Sequence, residues 1–284
     1  MNEQITGALF KRMVLHGAAV ITAQKQAIND LNVFPVPDGD TGTNMSMTIG
    51  TAVTELRKSE PATVEQAASV TASALLRGAR GNSGVILSLL FRGLSKALKG
   101  RETADAAAFA AAMQEGVSAA YQAVMKPAEG TVLTVSRLAA KEAVDTAGSG
   151  ETDLEKVLEA AIRKGYETLA QTTDMNPVLK KAGVVDAGGK GYLLILEGML
   201  AALRGEPLPE ITEDNGAQDK ADFAALSAED ITFTFDTVFI VRKTVNTPLE
   251  PFRAYLNSIG DSLVIGEDDE AFKVHVHTDI PGAA

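Results

Sequence analysis

From Thr51 to Ala202 alanine recurs densely, β-branched clusters are rare, and polar punctuation returns at intervals of about one helix length. Alanine has the highest helix propensity and the smallest side chain that still favours a helix, so a stretch of this texture packs as layered helices rather than as a sheet. The apolar periodicity predicts helices over 3–29, 43–59, 63–78, 80–98, 105–122, 129–146, 152–173 and 187–205. With such short connections these run antiparallel. The stripe Leu154, Val157, Leu158, Ala161, Ile162, Gly165 and Leu169 is the clearest, and Gly165 on it permits a close neighbour. Thr152 with Glu155, and Thr63 with Gln66, read as capping boxes that start two of these helices.

Composition narrows the function classes. The 26 basic and 37 acidic residues leave a net charge of -11, which disfavours nucleic acid and anionic membrane as partners of the whole chain. The absence of cysteine excludes disulfides and thiolate chemistry. No apolar run is long enough to span a bilayer, and Met1 to Lys11 lacks the order of a secretion signal, so the expected location is cytoplasmic.

Between Glu206 and Asp230 eight acidic residues face one lysine, among Pro207, Pro209 and Gly216, which reads as an acidic linker or solvated loop. Beyond it, 231–241 and 271–277 carry β-branched and aromatic alternation, with a helix near 248–259 between them. The tail therefore reads as an α/β or α+β piece. About fifty residues make a small core, and the final turn leads towards something absent, so a truncated chain is expected.

Four corners break the helical texture. Asn32 to Asn44, NVFPVPDGDTGTN, carries two prolines, a turning Gly39, and Asp38 and Asp40 as paired oxygen ligands at the mouth of a helix. Two carboxylates facing one site repel unless a cation neutralises them, and a helix N-terminus accepts the phosphates that accompany it. The plain alternative is an Asp-Gly-Asp surface turn. Gly81, Asn82, Ser83 and Gly84 offer backbone N–H groups and polar side chains to phosphate oxygens, or simply form a tight interhelical corner; Arg77 and Arg80 flank them. Asp186 with Gly188, Gly189 and Gly191, and Pro127 to Thr131 around Gly130, make two further corners. All four could lie at one end of a bundle as a rim site. His16 reads as an ordinary half-buried helix residue. His275 and His277 share one strand face by the period of two, and with Asp236 they form either a metal or catalytic cluster or an alternating surface pair.

The run NVFPVPDGDTGTNM, with Gly81 to Gly84, Gly130-Thr131 and Asp186 to Gly189, resembles the nucleotide-binding domain of the bacterial fatty acid kinase family, itself related to the L subunit of dihydroxyacetone kinase. The resemblance implies a multi-domain, mainly α fold: an eight-helix antiparallel barrel over 1–205, the acidic linker over 206–230, and a small, incomplete α/β middle domain over 231–284. It implies ATP or ADP with two magnesium ions at the open end. Matched by position, Asn32, Asp38 and Asp40 would be magnesium ligands. Thr41, Thr43, Asn44, Gly81, Asn82, Ser83, Gly84, Thr131 and Asp186 would surround the nucleotide. The family's cysteine and two histidines, needed for activity, correspond to Asp236, His275 and His277, where the string reads HVHTDIPG. An aspartate in place of cysteine would ligate any metal there through oxygen. The implied reaction is phosphorylation of a fatty acid carboxylate to acyl phosphate, with the fatty acid presented by a DegV-like fatty-acid-binding protein and a homodimer open. Two readings remain beside it: a dihydroxyacetone kinase L-like phosphotransferase, and a nucleotide-binding regulator without turnover.

Overall fold

A computed structural model describes residues 4–210, 232–245 and 247–284. The acidic stretch expected over 206–230 therefore lies largely outside the described residues. Among the described residues eight long helices are present: α1 (Gly7–Ala23), α3 (Thr41–Arg57), α4 (Val64–Gly78), α5 (Gly81–Ala97), α6 (Ala106–Ala123), α7 (Val132–Gly148), α8 (Leu154–Met175) and α10 (Ala187–Leu203). Two short ones, α2 (Lys25–Asn29) and α9 (Pro177–Ala182), lie between them.

The expected helix over 3–29 is broken at Gln24, whose φ of -99° and ψ of 8° leave the α region. The break frees Asn29 to reach across: its Nδ2 donates to Thr43 Oγ1 at 3.0 Å and its Oδ1 accepts from Thr43 N at 3.1 Å. The starts follow capping chemistry, with small corrections. Thr63 Oγ1 accepts from Gln66 N, while Gln66 Oε1 accepts from Ala62 N, one residue before the position a capping box uses. At α8 the cap is Asp153, accepting from Glu155 N, and not Thr152.

Each long helix packs against the next around a ring, α1–α3–α4–α5–α6–α7–α8–α10, and α10 returns to α1, which closes the barrel. Small residues set the closest approaches. A Cβ at Gly165 of α8 would lie 2.3 Å from Leu193 Cδ2 of α10, and one at Gly198 of α10 would lie 2.6 Å from Gly17 N, Gly17 Cα and His16 O of α1. Backbone cannot swing aside as a side chain can. Gly198→Ala is therefore expected to cost about 3 kcal/mol, read from urea unfolding; an unchanged midpoint would show that α1 and α10 close the ring with slack.

Downstream, β1 (Phe235–Arg242), β2 (Gly260–Glu267) and β3 (Ala271–Thr278) form an antiparallel sheet in the order β1-β3-β2, with α11 (Glu250–Ile259) after β1. The tail is thus an α+β arrangement, and β2 is a strand the alternation argument did not find. Leu256 of α11 packs with Leu263, Ile265, Val274 and Val276 on one sheet face, and Phe252 meets Phe239 and Phe272 edge-on. The opposite face lies on the barrel. Val264 joins the barrel core and bridges Val124, Lys273 Nζ donates to Arg77 O at 3.2 Å, and Arg77 pairs with Glu270 at 2.6 Å. By strand alternation His275 and His277, on the side of Lys273, face the barrel rim. No helix among the described residues is long and apolar enough to cross a membrane.

Candidate functional site

The four corners and the sheet meet at one cleft of about 460 Å³, within the range of small-molecule and cofactor sites. Asn32, Asp38, Asp40, Thr41, Asn44, Gly81, Asn82, Ser83, Thr131 and Asp186 line it from the barrel, and Asp236, His275 and His277 line it from the sheet. Thr43 and Gly84 do not line it. Thr43 is held by Asn29, and Gly84 packs against Thr48, where a Cβ would lie 2.4 Å from Oγ1. His16 is buried within α1, and burial, then Arg12, lowers its pKa.

The first corner is organised by Asn32. Its buried Oδ1 accepts from Asp40 N at 3.0 Å, Thr41 N at 2.9 Å and Thr41 Oγ1 at 2.8 Å, while its Nδ2 donates to Val36 O at 2.9 Å. An oxygen receiving three donors has no lone pair left for a cation. In this geometry Asn32 clamps the loop that carries Asp38 and Asp40. Asp40 stands at the N-cap position of α3 without a side-chain capping bond, so its carboxylate is not spent on the helix. Asp38 retains solvent contact at the cleft mouth. Enclosure by surrounding protein, followed by repulsion from and hydrogen bonding with Asp40, pushes its pKa up to about 7. Two crowded oxygen donors of this kind suit a hard divalent cation.

Across the cleft, Gly81 turns the chain at a φ of 56°, beside Asn44, whose Nδ2 a Cβ would approach to 2.4 Å. Arg80 caps α5 without a side-chain bond, leaving the first N–H groups of α5 for an anion. Asn82 Oδ1 is shut from solvent with no hydrogen-bond partner among the described residues. Gly130, at a φ of 76°, precedes the α7 cap Thr131. That corner is tied by Glu129, which accepts from Thr134 at 2.8 Å and from Arg137 Nη2 at 2.7 Å.

Asp186 caps α10 by accepting from Gly189 N at 2.6 Å. It is buried, and desolvation pushes its pKa up to about 7 against the opposing backbone hydrogen bonds. A folded-state pKa above the unfolded value means that the native state holds the proton more tightly, so the contribution present at low pH is lost as pH rises through about 7. Asp186→Asn keeps a good cap and cannot ionise. Relative to the parent it is expected to gain on the order of 2 kcal/mol between pH 4 and pH 8, measured by denaturant unfolding at both values; a difference independent of pH would mean that the carboxylate is not penalised.

In the sheet, Asp236 of β1 stands opposite His277 of β3. His275 Nδ1 lies 3.1 Å from Asp236 Oδ1, off the line of a ring N–H bond, and His275 Nε2 lies 3.1 Å from His277 Nε2. Burial, then His277 and Lys273, lowers the pKa of His275 to about 3, so it is neutral, as a metal ligand must be. Burial raises the pKa of Asp236, with His277 opposing and Asp40 adding to it, which couples the sheet to the first corner. Sequence reasoning missed two charged lining residues. Asp261 sits on the unrecognised β2, and Lys126 precedes Pro127 without any motif. Among the described residues five aspartates line the cleft, Asp38, Asp40, Asp186, Asp236 and Asp261, against Lys126 as its one lysine or arginine. A polyphosphate enters such a field only with cations.

Comparison with known proteins agrees with this architecture. Residues 35–201 match the DAK2 domain, and residues 232–284 match the middle domain of the FakA-like fatty acid kinases. Protein YloV of Bacillus subtilis is 42% identical over 289 residues, covering 98% of this chain and 52% of that protein. An uncharacterized protein of Staphylococcus epidermidis is 41% identical over 290 residues, covering 99% of this chain and 52% of its own length. The chain thus spans about half the length of these relatives. Among solved structures, the dihydroxyacetone kinase from C. freundii in complex with AMP-PNP and Mg2+ has a TM-score of 0.54 at 18% identity, covering 69% of this chain and 34% of that one. The likeness shows the fold. On the match over 35–201, the chain belongs to the DAK2 domain family.

Proposed function

We propose that this chain is the nucleotide-binding part of a kinase that transfers the γ-phosphoryl group of ATP to a fatty acid carboxylate, presented by a separate DegV-like fatty-acid-binding protein, giving acyl phosphate and ADP. The observation that carries this is the single cleft in which a crowded Asp38–Asp40 pair, an uncapped α5 N-terminus and an Asp-His-His cluster face one another. The fatty acid part of the reading rests on the match to the middle domain. The C. freundii kinase, solved with AMP-PNP and Mg2+, supports a magnesium nucleotide as the ligand.

A carboxylate acceptor is deprotonated at neutral pH, so no general base is required and the work is positional and electrostatic. Asp38 and Asp40 would hold magnesium, which when bound neutralises charge on the β and γ phosphates. The first N–H groups of α5 and the side chains of Asn82 and Ser83 orient phosphate oxygens. Thr131 and Asp186 form the far wall for the nucleotide. The sheet roofs one side of the cleft and sets His275 and His277 on the side from which an acceptor approaches.

The dihydroxyacetone kinase fold favours one second reading, a phosphotransferase of the dihydroxyacetone kinase L type. Incubation with labelled ATP, magnesium, oleate and a fatty-acid-binding partner, in parallel with dihydroxyacetone as acceptor, separates the two. Acyl phosphate is the expected product. Dihydroxyacetone phosphate alone would transfer the assignment to the second reading, and bound ATP with neither product would make the chain a nucleotide-binding regulator.

A further inference from the structure

On β2, Asp261 pairs with His277 of β3 while Val264 pairs with His275. Between those pairs two residues of β2, Ser262 and Leu263, thus oppose the single Val276 of β3, a bulge between Asp261 and Val264. In an unbulged strand, residues three apart point to opposite faces. Val264 faces the barrel, so a regular strand would turn Asp261 towards α11. The extra residue reverses that parity and brings Asp261 to the cleft, beside His277. The fold accepts a local cost for this placement, since Ser262 within the bulge takes a φ of 53°, a left-handed conformation that a residue with a side chain rarely adopts.

His277 on the central strand consequently has a carboxylate in each flanking strand, Asp236 on β1 and Asp261 on β2. Asp261 Oδ1 lies 3.8 Å from His277 Nδ1, while Asp236 Oδ1 lies 3.1 Å from His275 Nδ1. Each ring has a carboxylate on its Nδ1 side, and neither contact is a hydrogen bond in this geometry. The two Nε2 atoms face each other at 3.1 Å, a separation suited to two nitrogens sharing one ion at about 2.0–2.1 Å from each. A carboxylate behind the distal nitrogen is how ligating histidines are held in one tautomer and orientation.

We propose that Asp261 is the fourth member of this cluster, a positioning residue that holds His277 from its Nδ1 side as Asp236 holds His275, so that both imidazoles present Nε2 to one divalent transition-metal cation at the roof of the cleft. This deepens the reading of the cleft as a kinase site and rests on it. It changes the part assigned to Asp236, which acts behind a ring instead of as a direct ligand. Oxygen-backed imidazoles suit zinc or cobalt.

Cobalt(II) and zinc(II) are the probes, titrated into the whole chain with excess magnesium present to occupy the Asp38–Asp40 pair. The parent is expected to bind one cobalt ion with a visible spectrum of imidazole coordination, and His275→Ala to abolish that spectrum. Asp261→Asn and Asp261→Ala should each weaken binding by about 10–100-fold and alter the spectrum, with far-UV circular dichroism unchanged. Their side chain is 43% exposed, so neither substitution opens the core. Cobalt affinity and spectrum identical to the parent in both Asp261 variants would overturn the proposal. So would a parent that binds no cobalt, or a spectrum that survives His275→Ala, because the two rings would then share a proton instead of a metal. Phosphoryl transfer followed on the same samples keeps the two ideas apart: acyl phosphate formed without cobalt binding sinks this inference alone, and cobalt bound without any transfer sinks the kinase reading alone.

Discussion

Replacing Asp38 or Asp40 by asparagine is expected to weaken magnesium-dependent ATP binding by about 100-fold, the equivalent of roughly 3 kcal/mol for the loss of one charged ligand. The fold should not suffer. Neither carboxylate caps a helix, and neither belongs to the barrel core. The apo protein should in fact become more stable above neutral pH. Enclosure and Asp40 raise the pKa of Asp38 to about 7, so the charged pair opposes folding increasingly as pH rises through that value, and Asp38→Asn removes the opposition. Opposite signs for nucleotide affinity and apo stability are the mark of a site whose charges await a cation. Calorimetric titration with ATP, with and without magnesium, together with thermal melts at pH 8, checks both. Nucleotide affinity unchanged in both variants would remove this pair from the site.

The second large effect is expected at Asn32. Truncation to alanine removes the acceptor of three donors, Asp40 N, Thr41 N and Thr41 Oγ1, at a position 2% exposed. Donors left without partners in a buried place cost about 1–3 kcal/mol each before relaxation and entering water repay part, so a net loss of about 3 kcal/mol is expected. Because the same bonds hold the loop that carries Asp38 and Asp40, ATP affinity should fall with stability. Asn32→Asp keeps the acceptor, loses donation to Val36 O, and adds a third negative charge beside the pair. It should therefore recover stability chiefly when magnesium is present. Chemical denaturation of both variants, with and without magnesium, provides the measurement. An Asn32→Ala protein as stable as the parent would mean that water replaces the clamp at no cost.

How far the fold was legible depended on whether the signal was local. The eight long helices follow from alanine density and from stripes such as Leu154 to Leu169, which are buried as a set in α8. The break at Gln24 was hidden because the apolar pattern continues through it into Ala27 and Ile28, both buried. Strand β2 escaped because Leu263 to Gly266 are buried on both faces and show no alternation. Asp261 could not be placed without the bulge, which reverses which face a residue occupies and leaves no mark in residue type. The glycine corners could be read one by one, each from a turn beside a helix start. Their convergence could not, since it depends on α10 closing onto α1 and on the sheet settling over α5. Asn32 shows a further limit: its position within a motif does not reveal the three hydrogen bonds by which it clamps the loop.

The proposed function requires a magnesium nucleotide in the cleft between barrel rim and sheet. A crystal structure of the chain with magnesium and a non-hydrolysable ATP analogue tests it most directly. The expected result is cation density against Asp38 and Asp40, phosphate oxygens at the α5 N-terminus near Asn82 and Ser83, and the terminal phosphate below His275 and His277. The shallow groove lined by Arg163, Tyr166 and Arg204 offers the alternative address; nucleotide density there, with the Asp38–Asp40 pair empty, would contradict the account.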